Sequence, residues 1–276
     1  MSFRINTNTQ AALSLNSLNK TSNEIGMRQL RLATGSRINS AADDSAGYTI
    51  SKKLESKTRG QAQALSNIGD AKSLMSVAEG SLGSIQDILA TMKEKAVQAA
   101  NDTLGAEERT AIANQLTELA AEIGDITTNT KFNGQSLLDG TGGTGGSFSF
   151  QVGDTASEAF TLDLSAVMTD TATLGVDALT VDSAANAQTS ITAIDAAIGT
   201  VSAYASKFGD AQNRLDFKAQ NLETSKTNYE SANSRIADAD FAKEQMQIVK
   251  LQILQQTGSA AFAQSNAAPQ SVLSFF

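Results

Sequence analysis

Along residues 64–99, alternating steps of four and three land only on apolar side chains: Ala64, Ile68, Ala71, Met75, Ala78, Leu82, Ile85, Leu89, Met92, Ala96 and Ala99. This is the a/d stripe of a heptad repeat, held for five heptads, and it predicts one long helix lying along partner helices. No proline interrupts it. Gly69, Gly80 and Gly83 fall off the stripe, each at ~1 kcal/mol against alanine in a helix interior. At 1.5 Å per residue the stripe is about 54 Å long, which points to a rod.

The same spacing recurs on either side. Ala11, Leu15, Leu18, Ile25 and Leu32 predict a helix over 6–33 that Gly35 ends, with Ser22 and Gln29 as polar interruptions and Leu13, Met27 and Leu30 off the stripe. Residues 34–47 (TGSRINSAADDSAG) read as a polar connector, with Asp43 or Asp44 able to cap the long helix. Ile112, Leu116, Leu119, Ile123 and Ile126 predict a third helix, folded back on the long one by a short connection. From Ala187 to Ile236 the spacing holds for seven heptads, broken only by Gln212, Lys226 and Asn233, and predicts a helix about 75 Å long. A soft break at 237–240 precedes a segment, 241–256, that is apolar on several faces, and the chain closes on Val272-Leu273-Ser274-Phe275-Phe276.

Between the third and fourth helices the period changes. Asn133-Gly134 is a turn signal, Gly140–Gly146 (GTGGTGG) reads as a flexible linker, and the alternation over 147–152 and 159–164 predicts a β-hairpin. Leu174, Val176, Leu179 and Val181 suggest a further extended piece. The expected fold class is therefore mainly α: a long antiparallel coiled-coil-like helical rod with a small β-hairpin region, its N- and C-terminal helices paired.

Composition narrows the chemistry. The 276 residues carry 21 Lys+Arg against 29 Asp+Glu, a formal charge of -8, which disfavours general nucleic-acid binding. Aromatic residues make up 5% and Trp is absent, which suits thin helix-on-helix packing better than a large globular core. There is no Cys and no His, which removes thiolate chemistry, the commonest general base and the commonest metal ligand. Asp43-Asp44 reads as capping before it reads as a carboxylate dyad. The GTGGTGG run lacks the ending of a phosphate loop, and Asp238 and Asp240 lack the spacing of a calcium loop. No catalytic, cofactor or metal residues are expected. No apolar run reaches the ~20 residues that span a bilayer, and Met1–Gln10 has one basic residue and no apolar core of a cleavable secretory signal. Both ends are apolar and lack a partner beyond each other. The physical expectation is completion by neighbouring copies, and copies related by a rotation that does not close build an open helical filament.

Several motifs carry a resemblance. Residues 32–47 (LATGSRINSAADDSAG), 132–134 (FNG), 234–241 (SRIADADF), 253–256 (ILQQ), 263–266 (AQSN) and 269–274 (PQSVLS) occur in the order found in bacterial flagellin. The chain is similar to that family over essentially its whole length, in a short form with little or no variable outer domain. The resemblance implies a structural subunit of the secreted, extracellular flagellar filament. Residues 1–40 and 237–276 would form the inner tube, and 41–182 with 183–236 the outer tube. It implies self-assembly contacts at Leu15, Leu18, Ile25, Leu32, Arg37, Asn39, Phe241, Ile248, Leu251, Leu254 and Leu273. It also implies an export chaperone that holds the C-terminal helix, and a filament cap. Recognition by the vertebrate innate receptor is expected to be weak, because Thr91, Lys95 and Gln115 stand where recognised flagellins carry Arg, Leu and Glu. The Phe275-Phe276 ending departs from the family's usual terminus. Two other readings stay open from sequence: a hook–filament junction protein, and a coiled-coil adaptor that forms no filament.

Overall fold

A computed structural model describes residues 7–273, with side chains placed through residue 267. Six helices and four strands follow in the order α1 (Thr9–Thr34), α2 (Ser45–Ala99), α3 (Ala106–Asn129), β1 (Lys131–Phe132), β2 (Gln135–Ser136), β3 (Ser147–Gln151), β4 (Ala159–Asp163), α4 (Thr171–Leu174), α5 (Ala184–Ala237) and α6 (Phe241–Leu273). They divide into two compact units: residues 59–226, and the terminal segments up to Thr58 and from Thr227 onward.

The unit of residues 59–226 is built on the α2 stripe. All eleven stripe positions are buried, none exposing more than 2% of its surface. From Ile68 to Ala99 they share one core with Ile112, Leu116 and Ile123 of α3 and with Ala187, Ile194, Val201, Phe208 and Leu215 of α5. Polar groups flanking that seam align α2 against α5 in antiparallel register. Lys72 Nζ lies 2.6 Å from Asp216 Oδ1, Lys93 Nζ lies 2.6 Å from Asp195 Oδ1, and Gln86 donates to Ser202 Oγ at 3.3 Å. These pairs are about half exposed, so they set register more than they add stability. Gly69, Gly80 and Gly83 sit on the outer face with open space around them.

The non-helical region closes over the same core. β1 and β2 form a two-residue hairpin whose turn residues Asn133 and Gly134 both have positive φ, 49° and 79°. This is the geometry that Asn-Gly accommodates and most other pairs do not. β3 and β4 pair antiparallel, Phe150 opposite Phe160, with Phe160 and Leu162 buried and the guanidinium of Arg214 5.0 Å over the Phe160 ring. Buried Thr127 and Thr169 satisfy each other at 2.8 Å, and the Thr169 amide donates to the Leu138 carbonyl at 2.9 Å.

Two expectations change. Residues 174–181 form no strand. Asp170 caps the short helix α4, Gly175 ends it in the left-handed region, and Leu174, Val176 and Val181 are buried by packing, with no strand alongside to pair with them. Nor is Gly140–Gly146 a loose linker. Gly142 and Gly146 are buried, and Gly140, Gly143, Gly145 and Gly146 hold positive φ. A Cβ on Gly146 would lie 2.7 Å from the Gly140 carbonyl oxygen, and one on Gly142 would collide with the Ser136 carbonyl oxygen. The glycines are there because the backbone folds on itself without room for side chains.

Leu82→Ala at the centre of the stripe is expected to destabilise the soluble chain by about 2–5 kcal/mol. Gly146→Ala should also lower the melting temperature, whereas Gly80→Ala on the open face should hold or raise it. Thermal melts followed by circular dichroism check the order; a melt unmoved by Gly146→Ala would return that run to the status of a linker.

Candidate assembly surface

In the terminal unit α1 and α6 pair antiparallel. Asn8 caps α1 by accepting from the Ala11 amide at 3.0 Å, and its Nδ2 donates to the Ser265 carbonyl at 2.9 Å. Midway, a Cβ on Gly258 would lie 3.6 Å from Leu18 Cδ1, an ordinary contact distance. At the other end Arg28 Nη1 donates to both carboxylate oxygens of Glu244 at 2.9 Å, with Arg31 3.8 Å away. The Glu244 side chain is only 7% exposed. It is the only acidic residue of 241–276, and a buried carboxylate without those guanidiniums would be costly.

The two connectors meet at backbone level. The Arg37 amide donates to the Ala237 carbonyl at 2.6 Å and the Ala239 amide donates to the Gly35 carbonyl at 2.9 Å. Ser36 Oγ donates to the Ala237 carbonyl at 3.0 Å, and Arg37 Nε and Nη2 both reach the Ile236 carbonyl, at 3.2 and 2.7 Å. Arg37 thus serves the exposed carbonyls where α5 ends, a place where positive charge is favoured. Asn39 Nδ2 donates to the Ser36 carbonyl at 3.0 Å. Asp43 accepts from the Ser40 and Asn39 amides, which hold its carboxyl below the ordinary aspartate range. Asp44 is the residue that caps α2, accepting from the Gly47 amide at 2.9 Å. A Cβ on Gly47 would lie 2.7 Å from Ile38 Cδ1, so a larger residue here would have to displace the Ile38 and Asp44 side chains. Asp240 caps α6 by accepting from the Lys243 amide at 3.1 Å. Ser51 donates to Asn233 Oδ1 at 2.7 Å, which gives that polar stripe position a partner.

The expected contact residues fall into separate groups. Ile25, Ile248 and Leu251 are buried, and Leu18 and Leu32 are half-buried. Arg37 and Asn39 hold the connectors. Leu15, Phe241 and Leu254 remain 42%, 65% and 48% exposed, and the Leu273 side chain lies outside the described residues. Leu13, Met27 and Leu30 of α1, with Met246, Val249 and Ile253 of α6, are also exposed. The Arg28–Glu244 pair is absent from the sequence expectations, although a single acid in an otherwise acid-free final helix was its visible signal. Among the described residues no helix is long and apolar enough to cross a membrane.

Glu244→Gln should lower the stability of the α1–α6 pairing by roughly 1–3 kcal/mol through loss of charge-assisted hydrogen bonds. Denaturant titration of the soluble chain checks this, and an unchanged midpoint would mean the pair is idle.

Comparison with known proteins accounts for the arrangement. The bacterial flagellin N-terminal helical region matches residues 5–142, and the bacterial flagellin C-terminal helical region matches residues 191–276. A flagellin of Halalkalibacterium halodurans is 39% identical over 88% of this chain and 88% of its own length. A flagellin of Treponema pallidum is 34% identical over 98% of both chains. The crystal structure of Bacillus cereus flagellin covers 57% of this chain and 88% of its own at 35% identity, with a TM-score of 0.50. Both matched regions are helical, as the terminal helices and the striped core of this chain are, and the chain belongs to the bacterial flagellin family.

Proposed function

We infer that this chain is the structural subunit that polymerises into the bacterial flagellar filament, and that its activity is assembly, not catalysis. The observation that carries this is the apolar surface left on α1 and α6. Leu13, Leu15, Met27, Leu30, Phe241, Met246, Val249, Ile253 and Leu254 are each more than 40% exposed in the lone chain. They are already about half covered, so completing their burial is worth on the order of 7–15 kcal/mol at ~1.5–3 kcal/mol per fully buried large side chain, comparable to the roughly 4–15 kcal/mol cost of association. In this reading residues 1–40 and 237–276 form the inner tube, and 41–182 with 183–236 the outer tube. The filament is extracellular, reached by export of the subunit. The same surface supports two transient partners: an export chaperone that covers α6 before assembly, and a cap that holds arriving subunits at the filament tip. The alternatives, a junction protein and a non-filament adaptor, have no comparable support, since flagellins match the chain over nearly its full length.

Filament growth tests the reading. Purified chain seeded with short filament fragments should extend into long tubes visible by negative-stain microscopy, and a variant lacking 241–276 should not. An intact chain that stays a small oligomer under every condition would overturn it.

The receptor proposal has its own check. Thr91 and Gln115 are exposed on α2 and α3, so this face presents neutral side chains where recognised flagellins present charge. A cell reporter for the innate receptor should respond only at high protein concentration; full activation at low concentration would contradict it.

A further inference from the structure

Seventeen residues of this chain are asparagine, and one of them, Asn133, precedes a glycine. We propose that Asn133 is a site of spontaneous covalent modification, deamidation through a cyclic imide, and that its isoaspartyl product loosens the unit of residues 59–226. In this step the Gly134 backbone nitrogen gives up its proton to hydroxide and attacks Asn133 Cγ. The new N–Cγ bond forms, the Cγ–Nδ2 bond breaks, and Nδ2 leaves as ammonia. Water then adds across one imide C–N bond. Opening at Cγ restores the backbone and leaves an ordinary aspartate. Opening at the backbone carbonyl leaves an isoaspartyl link, with the chain rerouted through Cβ and Cγ. No electrons are transferred, and water is the only co-reactant besides the base.

The position is set apart by its surroundings. Asn133 and Gly134 are both exposed, and Gly134 has no Cβ to shield its nitrogen. They form the tip of a hairpin with only two ladder pairs, Lys131 opposite Ser136 and Phe132 opposite Gln135, so opening there is inexpensive. Three other asparagines precede serine. Asn16 and Asn233 lie inside α1 and α5, where the following amide is committed to the helix. After Asn39, the Ser40 amide is held by the Asp43 carboxylate at 2.9 Å.

The two products differ in consequence. Aspartate is accepted at positive φ, as asparagine is, so it leaves the turn intact. The isoaspartyl link adds a backbone atom to a two-residue turn. Directly after β2 come Leu137 and Leu138, which are 1% and 0% exposed. A longer turn displaces the anchor point of both.

The test is to age the purified full chain in mildly alkaline buffer and map deamidation by peptide mass spectrometry, with an isoaspartate methyltransferase to mark the isoaspartyl product. Asn133 should deamidate at least about tenfold faster than Asn16, Asn39 or Asn233, the ratio that ~1.4 kcal/mol of easier opening gives. The isoaspartyl fraction should melt at a lower temperature than fresh protein. Asn133→Asp should melt with the unaged chain, and Asn133→Gly, which keeps a positive-φ turn, should abolish the fast modification. Modification of Asn133 at the pace of the other three, or an isoaspartyl fraction that melts with fresh protein, would overturn the proposal.

Discussion

Burial of one heptad stripe on α2 is the constraint on which the larger unit depends. Ala, Ile, Leu and Met alternate along it at spacings that only a helix can bring to one side. The stripe has no bulky rings, so α3 and α5 can approach closely along its length, and Phe208 is the one large aromatic among the most deeply buried side chains. Such a seam is uniform and leaves register weakly specified. The flanking pairs Lys72–Asp216, Lys93–Asp195 and Gln86–Ser202 supply register, as does the polar step Ser51–Asn233 in the terminal unit. The β-hairpins and the glycine-bounded turns then close the exposed flank of the core with buried Leu137, Leu138, Leu164 and Val167.

The terminal unit works by the same packing rules and stops short of completing them. α1 and α6 bury one face against each other through Ile25, Ile248 and Leu251 and fix it with the Arg28–Glu244 pair. Their other faces stay apolar and open. A chain that pairs its backbone groups at the Gly35–Arg37 and Ile236–Ala239 clasp, yet leaves nine large apolar side chains exposed on α1 and α6, is built for further burial by its own kind. Polymerisation extends helix packing across copies and needs no new chemistry. That is consistent with a sequence that carries no His and no Cys.

Periodicity in the sequence carried most of this fold. The α2 stripe, the stop at Gly35, the Asn-Gly turn and the hairpin of β3 with β4 were legible because each follows from local spacing or from a residue with special backbone freedom. Leu174–Val181 was misread because alternating burial resembles a strand whether or not a partner strand lies alongside; here α4 and packing alone produce it. The GTGGTGG run was misread because glycine marks both slack chain and chain too crowded for a Cβ, and only the surroundings distinguish them. Among the expected contact residues, Phe241 and Leu254 were visible only as apolar positions in a segment apolar on several faces, and the structure leaves both exposed. The division of Ile25, Ile248 and Leu251 to the intrachain face depends on how α1 rotates against α6, and sequence spacing alone does not set that rotation. Arg37 and Asn39 were recognisable as a motif, but their role in serving carbonyls across the clasp is a tertiary contact with no local signature.

The most direct measurement is amide hydrogen exchange on the soluble chain and on the assembled filament, followed by segment. If the open faces of α1 and α6 are the surfaces that neighbouring copies cover, residues 10–33 and 242–267 exchange quickly in the soluble chain and slow strongly on assembly, while 64–99 is protected in both states. Equal exchange of α1 and α6 before and after assembly, with new protection confined to 59–226, would contradict the account.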